Sequence, residues 1–128
     1  MRIEFIIPLS PITKKNHQEI VKNPKTGKPF VIPSRQYKEY EKNAMWFIPK
    51  PQKPIGEPVN VRCLFFLPTR RKGDLTNYLE AIDDVMVKCG LLEDDNYTII
   101  QSHDGSRVLY DKENPRTEIL ITSVEEVT

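Results

Sequence analysis

The order of local patterns along the chain predicts an α+β fold: one mixed β-sheet, a basic β-hairpin and two main helices in a single domain. Three observations carry that expectation. Val59 to Leu67 alternates as a strand does and is apolar on both faces. Two other segments, opening at Ser34 and at Leu75, repeat their apolar residues at helical spacing. Eleven prolines, concentrated in the first half, cut the remainder of that half into short pieces. At 128 residues the chain has the length of one domain with a real core.

Taken in order, Arg2 to Ile7 alternates and reads as a strand stopped by Pro8. Ser10 to Asn16, with Lys14 and Lys15, is a polar loop. Glu19 to Lys22 and Pro29 to Ile32 flank Asn23-Pro24-Lys25-Thr26-Gly27-Lys28, whose turn chemistry predicts the basic hairpin. Ser34 is a good N-cap, and Tyr37, Tyr40, Ala44 and Phe47 then recur on one helical side until Pro49. That aromatic stripe is read as core rather than as a base-stacking platform. Pro49 to Pro58 is a stiff loop, and Val59 to Leu67 a central strand covered on both faces. The helix Leu75 to Lys88 is closed by Cys89-Gly90. Tyr97 to Gln101 reads as a strand continuing to Tyr110 past an irregularity at Asp104-Gly105. Asn114-Pro115 turns the chain into a last strand, Thr117 to Val124.

Charged residues make up 29% of the chain and hydrophobic ones 38%, as in an ordinary soluble domain. No apolar run is long enough to cross a bilayer, and the start MRIEFIIPLSP is no secretory signal, so a cytoplasmic protein without membrane contact is expected. Cys63 and Cys89 lack any CxxC or Cys/His spacing and are expected as two buried thiols. The net charge of +1 hides an asymmetry. Up to Lys72 there are fifteen Lys/Arg and five Asp/Glu; from Gly73 onward there are four and thirteen. A polyanion partner on one side and a cation on the other would explain this. Two halves that neutralise each other in the fold explain it equally well.

Chemistry concentrates between Arg70 and Asn96. Arg70-Arg71-Lys72-Gly73 runs from an apolar strand into Asp74, at the mouth of the second helix. On that helix Leu75, Leu79, Ile82 and Met86 fall on one side, while Asn77, Glu80, Asp84 and Lys88 fall on the other. Asp74 is expected to cap free N–H groups there. Asn77 is a poor mid-helix residue unless its amide is engaged. Gly90-Leu91-Leu92 then returns the chain and presents Glu93-Asp94-Asp95 before the next strand. Gathered carboxylates repel and raise one another's pKa unless a counter-charge is present, and Mg²⁺ is a common one. The plainer reading makes Asp74 a cap and puts Glu80 and Asp84 on a solvated face, with Asp84 paired to Lys88. His17 and His103 lie far apart and are expected as ordinary polar residues.

These residues resemble the RusA family of Holliday junction resolvases, small phage-derived endonucleases. The family pattern is Asp-x-Asp-Asn opening a helix, an Asp on that helix, a Gly-containing turn, and Asp-Asp before a strand. The counterparts are Asp74-Leu75-Thr76-Asn77, Asp84, Gly90 and Asp94-Asp95. The Pro8 to Asn16 start, the Pro33 to Tyr37 segment and the Pro115 to Ile119 strand are similar too, so the resemblance covers almost all of residues 1–128 as one domain.

The resemblance implies a homodimer that cuts four-way DNA junctions in symmetric pairs with Mg²⁺, for which Mn²⁺ can substitute. It implies no small-molecule cofactor, and the sequence has no Gly-rich phosphate loop. Asp74 and Asp95 would hold metal, with Glu80 or Asp84 completing the shell or orienting water, and with Asn77 and Asp94 in support. Lys14, Lys15, Lys25, Lys28, Arg70, Arg71 and Lys72 would contact backbone phosphates. Two positions depart from the pattern. Thr76 replaces the second Asp, and Glu80 replaces a Lys, so a carboxylate lost at one is regained at the other on the same face. If that exchange does not compensate, the chain is a branched-DNA or single-strand binding module whose acidic face is structural. A hydrolase for other phosphodiesters is a third possibility.

Overall fold

The computed structural model describes residues 1–14 and 18–124; Lys15 and His17 lie outside the described residues. Its elements are β1 (Arg2–Ile7), β2 (Gln18–Lys22), β3 (Pro29–Pro33), α1 (Arg35–Ala44) with a 3₁₀ turn at Met45–Phe47, β4 (Val59–Leu67), α2 (Leu75–Lys88), β5 (Ile100–Ser102), β6 (Arg107–Tyr110) and β7 (Arg116–Ser123). The sheet is mixed, as expected, with strand order β1-β7-β4 and then β5 and β6 sharing the far side of β4. β1 and β4 both pair antiparallel with β7, whereas β5 and β6 run parallel to β4. The β2–β3 hairpin forms a separate two-stranded ribbon.

Ser34 and Gly90 act as the sequence predicts. Ser34 accepts a hydrogen bond from the Tyr37 N–H, and Tyr37, Tyr40 and Ala44 are buried. Phe47, expected on the same stripe, is 42% exposed because the chain has tightened into the 3₁₀ turn and rotated it outward. α2 ends at Gly90, whose φ of +87° is the left-handed conformation that glycine adopts without penalty. Leu91 N–H then bonds Met86 O at 3.0 Å and Gly90 N–H bonds Val87 O at 3.1 Å, which is a Schellman closure with Met86 and Leu91 both buried.

The core lies on one face of the sheet. Val59, Val61, Cys63, Phe65 and Leu67 of β4 alternate into it and meet Ile119 and Ile121 of β7 and Leu79, Ile82, Val85 and Met86 of α2. Leu75 packs against this cluster only in part. The Tyr37 hydroxyl donates to Ala81 O at 3.3 Å, tying α1 to α2. β4 is central, yet its second face is only half covered: Asn60, Arg62, Leu64 and Phe66 are partly exposed. Among the described residues no helix lies over that face; Arg116 covers Phe66, its guanidinium 3.8 Å from the ring centre. Cys63 is buried as expected, whereas Cys89 is only half-buried because it sits in the C-cap; both are free thiols.

The expected strand from Tyr97 to Tyr110 is two short strands. Asn96 O accepts from the Ile99 and Ile100 N–H groups, so 97–99 is a turn and Tyr97 is exposed. The break at Asp104-Gly105 falls where the sequence placed it, with Gly105 at φ +86°. Among the described residues, no helix is long and apolar enough to cross a membrane. Truncating the buried, centrally placed Phe65 to Ala is expected to cost about 3–5 kcal/mol, read as a lowered midpoint in urea with an unchanged slope.

Candidate functional site

The chain leaves β4 at Leu67 and crosses to α2 through an exposed basic segment. The Arg70 guanidinium lies over the Tyr110 ring, 4.3 Å from its centre, while Arg71 and Lys72 stand at the surface. Gly73 packs directly on Tyr78: a β-carbon at this position would lie 3.1 Å from the ring, tighter than an ordinary contact, so a larger residue would need the ring to shift. Asp74 follows as the helix N-cap, its carbonyl accepting from the Asn77 N–H at 3.1 Å. The expected side-chain cap is absent. The Asp74 carboxylate makes no bond to the helix N–H groups and instead receives the Asn77 amide at 3.5 Å. The engagement that Asn77 needed is therefore with Asp74.

Further along α2, Glu80 is exposed and Asp84 is half-buried. Asp84 pairs with the ammonium of Lys14, which also lies 5.7 Å from the centre of the Tyr37 ring. The alternative partner, Lys88, reaches across to Glu41 at 2.9 Å, because α1 places a carboxylate beside it. Burial above all, and then the charges of Glu41, Asp84 and Glu80, push the Tyr37 hydroxyl well above its usual pKa.

The return loop is fixed by a pairing the sequence did not reveal. Ile55 N–H bonds Leu91 O at 2.9 Å and Glu93 N–H bonds Ile55 O at 3.0 Å, so the proline-rich loop clamps the turn. Asp94 folds the next residues. Its carboxylate accepts from the Asp95 N–H at 2.7 Å and the Asn96 amide at 3.0 Å, and these bonds hold its pKa low. Asp95 behaves oppositely. Desolvation, then the Asp94 contact and the charges of Asp84 and Asp94, push its carboxyl above the usual range. Asp95 and Asp84 therefore share one negative environment.

Behind them lies a pair that the helical pattern missed. Asp83 is buried on the core side of α2, and its Oδ2 is 2.8 Å from His103 Nε2. His103 Nδ1 is 2.8 Å from Val61 O of β4. A carbonyl only accepts, so Nδ1 must carry a hydrogen; Nε2 facing a carboxylate oxygen then requires a second proton shared by the pair. Burial alone would lower the His103 pKa, but the Asp83 bond and charge, with the Val61 bond, outweigh it and raise it. Burial is also the main reason that the Asp83 pKa is raised, against the opposing pull of His103. An aspartate between apolar positions and a histidine in a turn gave no periodic signal.

The oxygen donors Asp74, Asn77, Glu80 and Asp84 share one outer face of α2, with Asp95 beside Asp84. They are chemically suited to a hard cation. They do not converge into one ready cage: among the described residues, no group of three or more His, Cys, Asp or Glu side chains could hold a metal ion. Ten helical residues separate Asp74 from Asp84, about 15 Å along the axis. Of the cations, Lys25 and Lys28 stand exposed in the hairpin turn, closed by Gly27 N–H to Asn23 O at 2.8 Å. Lys14 is already engaged by Asp84.

An exposed basic segment thus leads onto an acidic helix face in an α+β domain. The family model described as Endodeoxyribonuclease RusA matches residues 8–122. The crossover junction endodeoxyribonuclease RusA of Aquifex aeolicus (strain VF5) is 32% identical over 113 residues, spanning 87% of this chain and 85% of that protein. The chain belongs to the RusA family of endodeoxyribonucleases.

The His103–Asp83 pair sets a pH dependence of stability. A histidine with a folded pKa above its unfolded value, about 6.5, stabilises fully below that pH and ceases to as pH rises through the folded value. The upward shift of Asp83 has the same sign, since both groups hold a proton more tightly when folded. Thermal melting from about pH 6 to 8.5 should lose stability in the wild type that His103→Asn does not lose. Parallel profiles in the two proteins would contradict the shared-proton assignment.

Proposed function

We propose that the chain is a divalent-cation-dependent nuclease of the cytoplasm that resolves four-way DNA junctions by paired phosphodiester hydrolysis, acting as a homodimer. The observation that carries this reading is the run Arg70–Lys72 leading directly onto the carboxylate-bearing face of α2, in a chain of this family. A four-way junction has two-fold symmetry, and a two-fold dimer offers it two equivalent sites.

The residues fit a hard cation. The donors are all oxygen, Asp95 is pushed up by desolvation and then by its Asp94 contact and the charges of Asp84 and Asp94, and an ammonium, Lys14, sits on Asp84. Mg²⁺ needs only one or two carboxylates when substrate phosphates supply further oxygens, so the absence of a three-carboxylate cage is no obstacle. Asp74 and Asp95 would hold Mg²⁺ or Mn²⁺, with Glu80 placed between Asp74 and Asp84 on the helix to replace the carboxylate lost at Thr76. Asp84, beside Asp95, would complete the shell or orient water. Bound there, the ion would lower the pKa of water and neutralise charge on the scissile phosphate.

The chain's own residues supply the rest. Arg70, Arg71 and Lys72 hold the strand backbone at the helix mouth, and Lys25 and Lys28 hold a flanking arm. The Asn77 amide fixes the Asp74 carboxylate, and the Asp94 turn fixes Asp95. Thr76 and the Lys14–Asp84 pair favour a second reading, a junction-binding module that does not cut.

Junction cleavage with Mg²⁺ separates the two. Asp74→Asn and Asp95→Asn should each slow cleavage by about 10²–10⁴-fold with junction affinity kept within a few-fold. Near wild-type cleavage by both variants, or no cleavage by the wild type with Mg²⁺ or Mn²⁺, would end the nuclease reading. Replacing Lys25 and Lys28 by Gln should weaken binding to all DNA and reduce the slope of log affinity against log salt by about 0.9 for each phosphate no longer neutralised; filter binding across a salt series measures this.

A further inference from the structure

We infer that a cleft beside the helix mouth receives one unstacked nucleobase of the strand being cut, and that Gln36 reads its edge. The inference rests on the nuclease reading above and adds a base-specific subsite to it. The cleft has a volume of about 260 Å³ and lies where the end of β4 meets the start of α1. That is below the roughly 300–1,000 Å³ of a site for a drug-sized ligand, a size that suits a single base.

Its chemistry is layered. Pro11, Ile12, Leu67, Pro68 and the ring of Tyr78 form apolar walls. Ser10, Gln36 and Thr69 add neutral hydrogen-bonding groups, and among the described residues none of these three side chains has a hydrogen-bond partner. Arg71 and Lys72 complete the lining and are exposed to solvent. A phosphate would be taken by the two cations and would gain nothing from the apolar walls. A base uses every layer: its π-face packs on the walls, its edge meets a carboxamide that both donates and accepts, and its flanking phosphates meet the cations.

The cleft is also in the right place. Lys72 lines both this cleft and an adjoining hollow of about 210 Å³ formed with Gly73, Asp74 and Asn77. A base held in the first therefore lies within a side chain's width of the carboxylate assigned to the reaction. Gln36 stands exposed in the first turn of α1 and Ser10 is exposed in the loop, so both can be changed without disturbing the core.

The test uses a four-way junction carrying each of the four bases, or an abasic site, at the nucleotides flanking the cleaved bond. Wild-type rates should span about tenfold or more across the bases at one position, as one good edge contact provides. Gln36→Leu should compress that span to about twofold or less while leaving the rate at the abasic site unchanged. Ser10→Trp, which fills the cleft, should lower cleavage of every base-bearing junction toward the abasic rate. Metal-free binding gives a second readout: 2-aminopurine at that position should brighten on binding the wild type and not on binding Ser10→Trp. Equal base ratios in wild type and Gln36→Leu, or 2-aminopurine signals that are absent or the same with Ser10→Trp, would overturn the subsite. A wild type that unstacks 2-aminopurine yet never cleaves would instead sink the nuclease reading and leave the cleft as a binding subsite.

Discussion

Parallel pairing of β5 and β6 with β4 constrains the whole molecule. Two parallel neighbours cannot be joined by a tight turn, so the chain after β4 must cross back along the sheet before it can pair again. α2 is that crossover, and its apolar side is held on β4 and β7 by Leu79, Ile82, Val85 and Met86. Once that side is fixed, the outward direction of Asn77, Glu80 and Asp84 is fixed too. The placement of acidic groups is thus a by-product of strand polarity. The Schellman closure at Gly90 and the clamp from Ile55 then determine where Asp95 arrives.

Having been put there, the carboxylates must be managed. The fold uses a different device for each. Asp83 turns inward and shares a proton with His103, while Asp94 is consumed by backbone and amide donors. Asp84 takes an ammonium from a loop seventy residues away in sequence. Asp74 keeps only the weak reach of Asn77, and Asp95 keeps an elevated pKa. Of these five, Asp74 and Asp95 carry the least compensation, and they are the two proposed above to hold the cation.

Much of this was legible in the sequence, and the division has physical causes. Strand alternation in β1, β4 and β7, the Ser34 cap and the Gly90 closure are local signals, and each appears where it was read. The half-covered second face of β4 was not legible, because Leu64 and Phe66 are apolar whether a helix or a guanidinium covers them. Nor was the split of 97–110, which depends on how a parallel strand registers against β4. Lys14 on Asp84, Ile55 beside Leu92 and His103 on Asp83 are contacts between distant segments, and no spacing rule encodes them. The cleft at Gln36 likewise carries no motif, because its walls come from three separate stretches of chain.

The interrupted edge formed by β5 and β6 has a consequence of its own. A sheet margin of three and four residues, kinked at Gly105, offers no long flat template for another strand to add to. The opposite margin, β1, carries Arg2 and Glu4 along its length. Both borders of the sheet are thereby blunted against edge-to-edge aggregation, so a break in strand regularity also guards the chain's colloidal behaviour.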